Sequence, residues 1–197
     1  MIYFTSDLHL GHANAIGFTS RPFLDVEQMN EGLIKNINET VMTNDELWIL
    51  GDFAFKVNMA AAKQFRDQIN CKTVHMITGN HDKDYMRDHI FQSVQHYKEL
   101  KTEYGKFILF HYPIYEWNGA HNGTIHLHGH IHSTGSYNTA NLQKKYIDRF
   151  PEKSFMKDSA LGLRIYDIGV DANNYRPISI PQIAELMNLR SIKEELT

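Results

Sequence analysis

The sequence predicts an α/β protein of two packed sheets within one domain. In the first half, short apolar runs of strand length alternate with segments of helical period, the pattern of parallel βαβ units. From Ser93 onward strand-like runs follow one another, which implies a second sheet packed on the first. A length of 197 residues suits a single domain, 1–197, with a core large enough to fold without disulfides.

The elements follow in order. Ile2 to Ser6 reads as a buried strand. Asp25-Val26-Glu27-Gln28 reads as a capping box, with Asp25 as N-cap and Gln28 reaching back. Val26, Met29, Leu33, Ile34, Ile37 and Val41 then recur at helical spacing. Glu46 to Leu50 is a second strand, ending at Gly51-Asp52. Asn58 caps a helix with Met59, Ala62, Phe65 and Ile69 on one face, and Thr73 to Thr78 is a third strand ending at Gly79-Asn80. Ser93 to Lys101 and Lys106 to Phe110 pair as a hairpin across Tyr104-Gly105. Thr124 to His128 and Leu163 to Val170 are further strands. A last helix opens at Pro181, with Ile183, Leu186 and Met187 turned inward. The segment 138–162 stands apart: polar, interrupted by Pro151, and carrying Lys144, Lys145, Arg149, Lys153 and Lys157. A connection this long reads as a solvated insertion or as a basic flap beside the site.

Composition narrows the function classes. A net charge of −3 gives no global basic field for nucleic acid or an anionic membrane, although bound metals would add local positive charge. Cys71 is the one cysteine, so no internal disulfide forms, and a buried inert thiol is expected. The apolar start Met1-Ile2-Tyr3-Phe4 is too short for a signal peptide, and no run approaches the roughly 20 apolar residues of a membrane span. The expectation is a soluble, cytoplasmic protein.

The chemistry lies in motifs that close the strands: Asp7-Leu8-His9, Gly51-Asp52, Gly79-Asn80-His81-Asp82, His111, and Gly129-His130-Ile131-His132. In open α/β sheets the carboxyl ends of strands are where ligands gather. Oxygen and nitrogen donors without thiolate suit a pair of divalent metals better than a structural zinc. A two-metal hydrolase needs a bridging group that holds the ions roughly 3.5–4 Å apart, and Asp52 is the candidate. Asp7 and His9 supply one ion, Asn80 offers a carbonyl oxygen to the other, and His111, His130 and His132 complete the spheres. Two divalent ions, less Asp7, Asp52 and a bridging hydroxide, leave the site near plus one, which favours an anionic phosphate. His81 is placed to donate a proton to a leaving oxygen, and Asp82 holds either that imidazole or neighbouring backbone.

These motifs, in this order, resemble the calcineurin-like metallophosphoesterases. The resemblance implies a four-layer α/β/β/α sandwich of two mixed sheets flanked by helices. It implies that Asp7, His9, Asp52 and His132 bind one metal, that Asp52, Asn80, His111 and His130 bind the second, and that His81 is the acid. Asp7-Leu8-His9-Leu10-Gly11-His12, Arg21-Pro22-Phe23, His111-Tyr112-Pro113 and Gly169-Val170-Asp171 narrow it to the small bacterial and phage phosphoesterases. Manganese is the expected metal, with iron, zinc or nickel as alternatives.

Beyond that set, His12 is a candidate phosphate contact, against a plain loop residue. Arg21 is a candidate oxyanion clamp, against a structural ion pair. His128 is read as support for a ligand, His126 as a satisfied sheet histidine, and Asp171 as a group that orients a ligand histidine. Tyr112, Tyr115 and Trp117 form either an apolar wall beside His111 or ordinary loop packing. The reaction expected is phosphoester hydrolysis by attack of a metal-bridging hydroxide, with phosphodiesters or nucleotide-like substrates favoured. The alternatives are a phosphomonoesterase, a DNA or RNA nuclease, for which only Lys144 to Lys157 offers a basic track, and a partner-binding scaffold, which would have lost ligands that are all present here.

Overall fold

The computed structural model describes residues 1–82, 85, 89–143, 164–189 and 191. Its elements in chain order are β1 (Ile2–Thr5), α1 (Ala13–Phe18), α2 (Val26–Thr40), β2 (Glu46–Leu50), α3 (Met59–Asp67), β3 (Thr73–Ile77), β4 (Ser93–Gln95), β5 (Tyr97–Thr102), β6 (Gly105–Phe110), β7 (Ile125–His128), α4 (Gly135–Gln143), β8 (Ile165–Asp167), β9 (Ile178–Ser179) and α5 (Ile180–Leu186).

Two mixed sheets are flanked by helices. The first has the order β4-β3-β2-β1-β9, parallel from β1 to β4 with β9 antiparallel at one edge. The second has the order β5-β6-β7-β8, a β5–β6 hairpin continued by parallel β7 and β8. Strand alternation sorts the core into layers. Leu47, Ile49, Val74 and Met76 face Met29, Leu33, Ile37 and Ala62 of α2 and α3. Trp48, Leu50 and Ile77 face the other way, onto Phe107, Leu109, Ile125 and Leu127 of the second sheet. The far side of that sheet carries Ile108 and Ile165, covered by Trp117 and Ala120 from the connection before β7. Among the described residues no helix is long and apolar enough to cross a membrane.

Several expectations change. Ser93–Gln95 does not join the hairpin: it pairs in parallel with β3 and extends the first sheet, because the chain turns at His96. Gln28 reaches past Asp25, its side-chain oxygen accepting from Leu24 N at 2.7 Å, while Asp25 Oδ1 accepts from Gln28 N at 2.8 Å. Helix α5 starts at Ile180 on a full capping box of Ser179 and Gln182, so Pro181 is its second residue. Leu186 points outward at 48 % exposure, whereas Ile183 is buried. Residues 138–143 are helical rather than irregular, and 144–162, including the proposed basic flap, lie outside the described residues. Cys71 is buried, its thiol donating to Asp45 O at 3.2 Å.

Candidate metal centre

The parallel strands of both sheets end on one edge, and each candidate motif begins there. Past β1, alternation buries Leu8 and Leu10 under the helices and leaves Asp7 and His9 together on the opposite side. The loops after β1 and β2 keep zipping beyond the strands, with Asp7 N donating to Gly51 O, His9 N to Asp52 O and Leu10 N to Phe53 O. A parallel bridge between Ser6 and Gly169 stitches the first sheet to the second at this edge. Gly51 (φ +96°) and Gly129 have no room for a side chain. A Cβ on Gly51 would strike the His111 ring, and one on Gly129 would strike Ser6 Oγ and the Asp7 carboxylate.

The seven proposed ligands meet in this space. Asp52 Oδ2 lies 3.5 Å from His9 Nε2 and 3.6 Å from His111 Nε2. His9 Nε2 and His132 Nε2 are 3.1 Å apart. Asn80 Oδ1 stands 3.1 Å from His111 Nε2 and 3.0 Å from His130 Nδ1. Two sets of donor atoms cluster within 4.8 Å of one another: Asp7, His9 and His132, and Asp7, Asp52 and His111. Five of the seven residues, Asp7, His9, Asp52, His130 and His132, have φ between +46° and +72°. Such a backbone costs about 1–3 kcal/mol per non-glycine residue and persists where surrounding structure enforces it, often at functional sites.

The donor set fits divalent cations. His132 Nδ1 donates to Asp171 Oδ2 at 2.7 Å and His111 Nδ1 to Leu50 O at 2.8 Å, so in the neutral rings both Nε2 lone pairs face inward. The His111 lone pair then confronts Asn80 Oδ1, acceptor against acceptor, a contact a shared cation turns from repulsive to favourable. His9 Nδ1 is buried with no hydrogen-bond partner among the described residues. Burial pushes the Asp7 carboxyl up to about 8, with Asp167 and Asp52 adding to the rise and His132 opposing it. Burial also drives His9 down to about 2, helped by the nearby His132 and Arg21. Burial opposes ionisation of Asp171, but bonds from His132 and Arg21 outweigh it and hold that carboxyl at about 2.

The neighbouring residues take distinct places. Asp82 uses its carboxylate on backbone: it accepts from Asp52 N, Phe53 N and Gly79 N at 2.7–2.9 Å, clamping together the loops that carry Asp52 and Asn80. Burial pushes it up to about 7 against those donors. The His81 ring lies 5.4 Å from the His9 ring, its backbone N–H held by Asp52 Oδ1 at 3.0 Å. His12 stacks on Phe55 at 3.7 Å between centroids. Both histidines line a cavity of about 390 Å³ that opens beside His9 and His132. Arg21 as a phosphate clamp is corrected. The side chain is buried, forked onto both oxygens of Asp171 at 2.9 Å, and bonded to Leu8 O and Asp7 O, so its N–H groups are committed within the fold. Tyr112 sits against the His111 and His130 rings, whereas Trp117 is buried on the far side of the second sheet and Tyr115 is exposed, so the three form no wall. His128 Nδ1 bonds to its own Gly129 O, and His126 lies near Ile108 O and Tyr112 O.

Sequence reasoning missed Asp167, a buried acid on β8 that accepts from Ser133 Oγ at 2.5 Å and from Gly169 N at 2.8 Å. It thereby fixes the chain just past His132. A lone carboxylate inside the apolar run Ile165 to Ile168 was its signal.

The uncharacterized protein MJ1445 of Methanocaldococcus jannaschii is 31 % identical over 187 residues, spanning 94 % of this chain and 90 % of that protein. The chain belongs to the MJ1445 family. No family model matches it. Among solved structures, the protein of unknown function AQ665 from Aquifex aeolicus superposes with a TM-score of 0.67 at 22 % identity, covering 94 % of this chain and 98 % of that one, and so shares the fold of this MJ1445-family chain. YfcE, a phosphoesterase from E. coli, aligns with a TM-score of 0.42 at 16 % identity over 91 % of this chain and 81 % of its own. No chemistry is carried over from that looser likeness.

Proposed function

We propose that this protein is a dinuclear metal-dependent phosphoesterase, acting on phosphodiesters or nucleotide-like substrates in preference to other esters. The observation that carries the reading is the place of Asp52, whose Oδ2 lies within 3.6 Å of both His9 Nε2 and His111 Nε2. The motif resemblance to calcineurin-like metallophosphoesterases supports it. In this reading Asp7, His9, Asp52 and His132 hold one cation, and Asp52, Asn80, His111 and His130 hold the other, manganese first. Two such ions, when bound, supply a water nucleophile near neutral pH and positive charge against the oxygens of a phosphate.

The chain's own groups do the rest. Asp52 divides its carboxylate, Oδ2 toward the histidines and Oδ1 onto the His81 N–H, so the bridging residue also fixes where His81 leaves the backbone. His81 lines the cavity, and in this reading its imidazole holds a proton for the departing oxygen. Asp171, paired with Arg21, keeps the His132 Nε2 lone pair turned to the centre.

The test is reconstitution of metal-free protein with manganese, assayed on bis(p-nitrophenyl) phosphate and p-nitrophenyl phosphate as activated esters and on an alkyl phosphate ester as one with a poor leaving group. Asp52→Asn abolishes metal-dependent turnover. His81→Ala slows esters of poor leaving groups by about a hundredfold or more and activated esters much less. Full turnover in Asp52→Asn, or an equal loss on both kinds of ester in His81→Ala, defeats the respective assignment.

A further inference from the structure

The cleft beside the donor cluster has a chemical character that hydrolysis alone does not require. We propose that it is the leaving-group subsite, and that the group it takes carries a flat aromatic ring set off from the phosphate by a spacer of sugar size, as in a nucleotide. This rests on the phosphoesterase reading and assigns a subsite to the nucleotide-like substrates it favours.

The cleft is lined by His9 and His132, where the phosphate would be engaged, and by the rings of His12, Phe18, Phe55 and His81. The His12 ring lies 5.4 Å from His9, and Phe18 meets His12 edge-on at 6.2 Å. Phe55 lies parallel to His12, at 18° between planes. A ring bonded directly to the phosphate would stop at the first of these steps, whereas one displaced by a sugar reaches Phe18. Phe18 is 78 % exposed although large and apolar, the condition of a platform awaiting a stacked ring.

Charge points the same way. Among the described residues no carboxylate lines the cleft, and Lys56 is its one permanently cationic side chain. Lys56 is held at φ +51° and its Nζ stands 5.0 Å from the Phe55 centroid. Flat aromatic walls, one cation and no anion select an aromatic ligand that carries negative charge. The volume of about 390 Å³ is that of a small-molecule site rather than a groove for a protein or duplex. His81 lines the same space, so the proton donor faces whatever the cleft holds.

The experiment titrates manganese-loaded protein calorimetrically with adenosine 5′-monophosphate and with ribose 5-phosphate, which share phosphate and sugar and differ by the base. The expected result is about tenfold or tighter binding of the nucleotide. Phe18→Ala, at a position exposed enough to spare the core, and Phe55→Leu, which keeps apolar bulk without the ring, each shrink that advantage, with ribose 5-phosphate as the internal reference. Equal affinity of the two ligands, beside intact metal-dependent turnover of bis(p-nitrophenyl) phosphate, overturns the inference and leaves the phosphoesterase reading standing. A nucleotide preference that survives both substitutions overturns the assignment to this cleft. Absence of any metal-dependent turnover overturns both.

Discussion

Arg21 and Asp171 form a buried ion pair that bonds directly to two of the proposed ligands, Asp7 and His132. The guanidinium holds Asp171 and the carbonyls of Asp7 and Leu8, and Asp171 holds His132, so one pair ties two proposed ligand segments 125 positions apart in sequence, Asp7 to His132. Asp171→Asn leaves the guanidinium without its counter-charge. The expected outcome is a loss of about 3 kcal/mol in denaturant unfolding and a drop of about 10- to 100-fold in metal affinity by calorimetry. Asp7 adds a pH dependence to the metal-free protein. Its carboxyl is raised from 3.8 to about 8, so between those values the folded chain holds a proton that the unfolded chain releases. Its contribution to stability is therefore full below about pH 4 and is lost as the pH rises toward 8. His9, lowered from 6.5 to about 2, acts with the opposite sign, gaining stability as the pH rises through that range. The informative quantity is thus the stability of wild type minus that of Asp7→Asn, measured with chelator present, which falls steadily from pH 4 to pH 8. The lone-pair donors were legible because each follows an apolar run. The role of Arg21 was not, since its partners are backbone carbonyls and an acid far along the chain.

At the scale of elements, the legible ones announce themselves by apolar period and cap. Asp25 and Asn58 both cap as read, and β2 runs over Glu46–Leu50 as expected. Helix α4 escaped because it buries polar groups: Asn138 pairs with both the N–H and the C=O of Asp167, as an added strand would, so no apolar stripe marks it. Helix α1 escaped because six residues with only Ala15 buried give no period, and β9 is two residues long. Glycine placement separates element stability from site geometry. Gly17 in α1 has open space where a methyl group would stand, with no atom of the described residues beyond its own helical turn within 4 Å, and Gly17→Ala is expected to raise stability by about 0.5–1 kcal/mol in chemical denaturation. Gly129→Ala drives a methyl into Ser6 and Asp7, and is expected to cost several times that amount, on the order of 3 kcal/mol, and to abolish metal binding. Equal effects at the two positions would contradict the packing described for the site edge.

Across the whole molecule, two sheets share one apolar layer and present their parallel carboxyl ends on the same side. That arrangement gathers residues from position 7 to position 171 and enforces five left-handed backbones among the proposed ligands. The two-sheet α/β class was legible from the change of pattern at Ser93. The boundary between the sheets was misplaced by one short strand, because Ser93–Gln95 and β5 form a continuous strand-like run in sequence. In the proposed reading these ends hold two neighbouring cations across Asp52. Anomalous X-ray scattering at the manganese edge, from crystals grown with excess manganese, tests it most directly. Two peaks are expected about 3.5–4 Å apart, one beside His9 and His132 and the other beside Asn80, His111 and His130, with Asp52 Oδ2 between them. A single peak, or none within reach of Asp52, would contradict it.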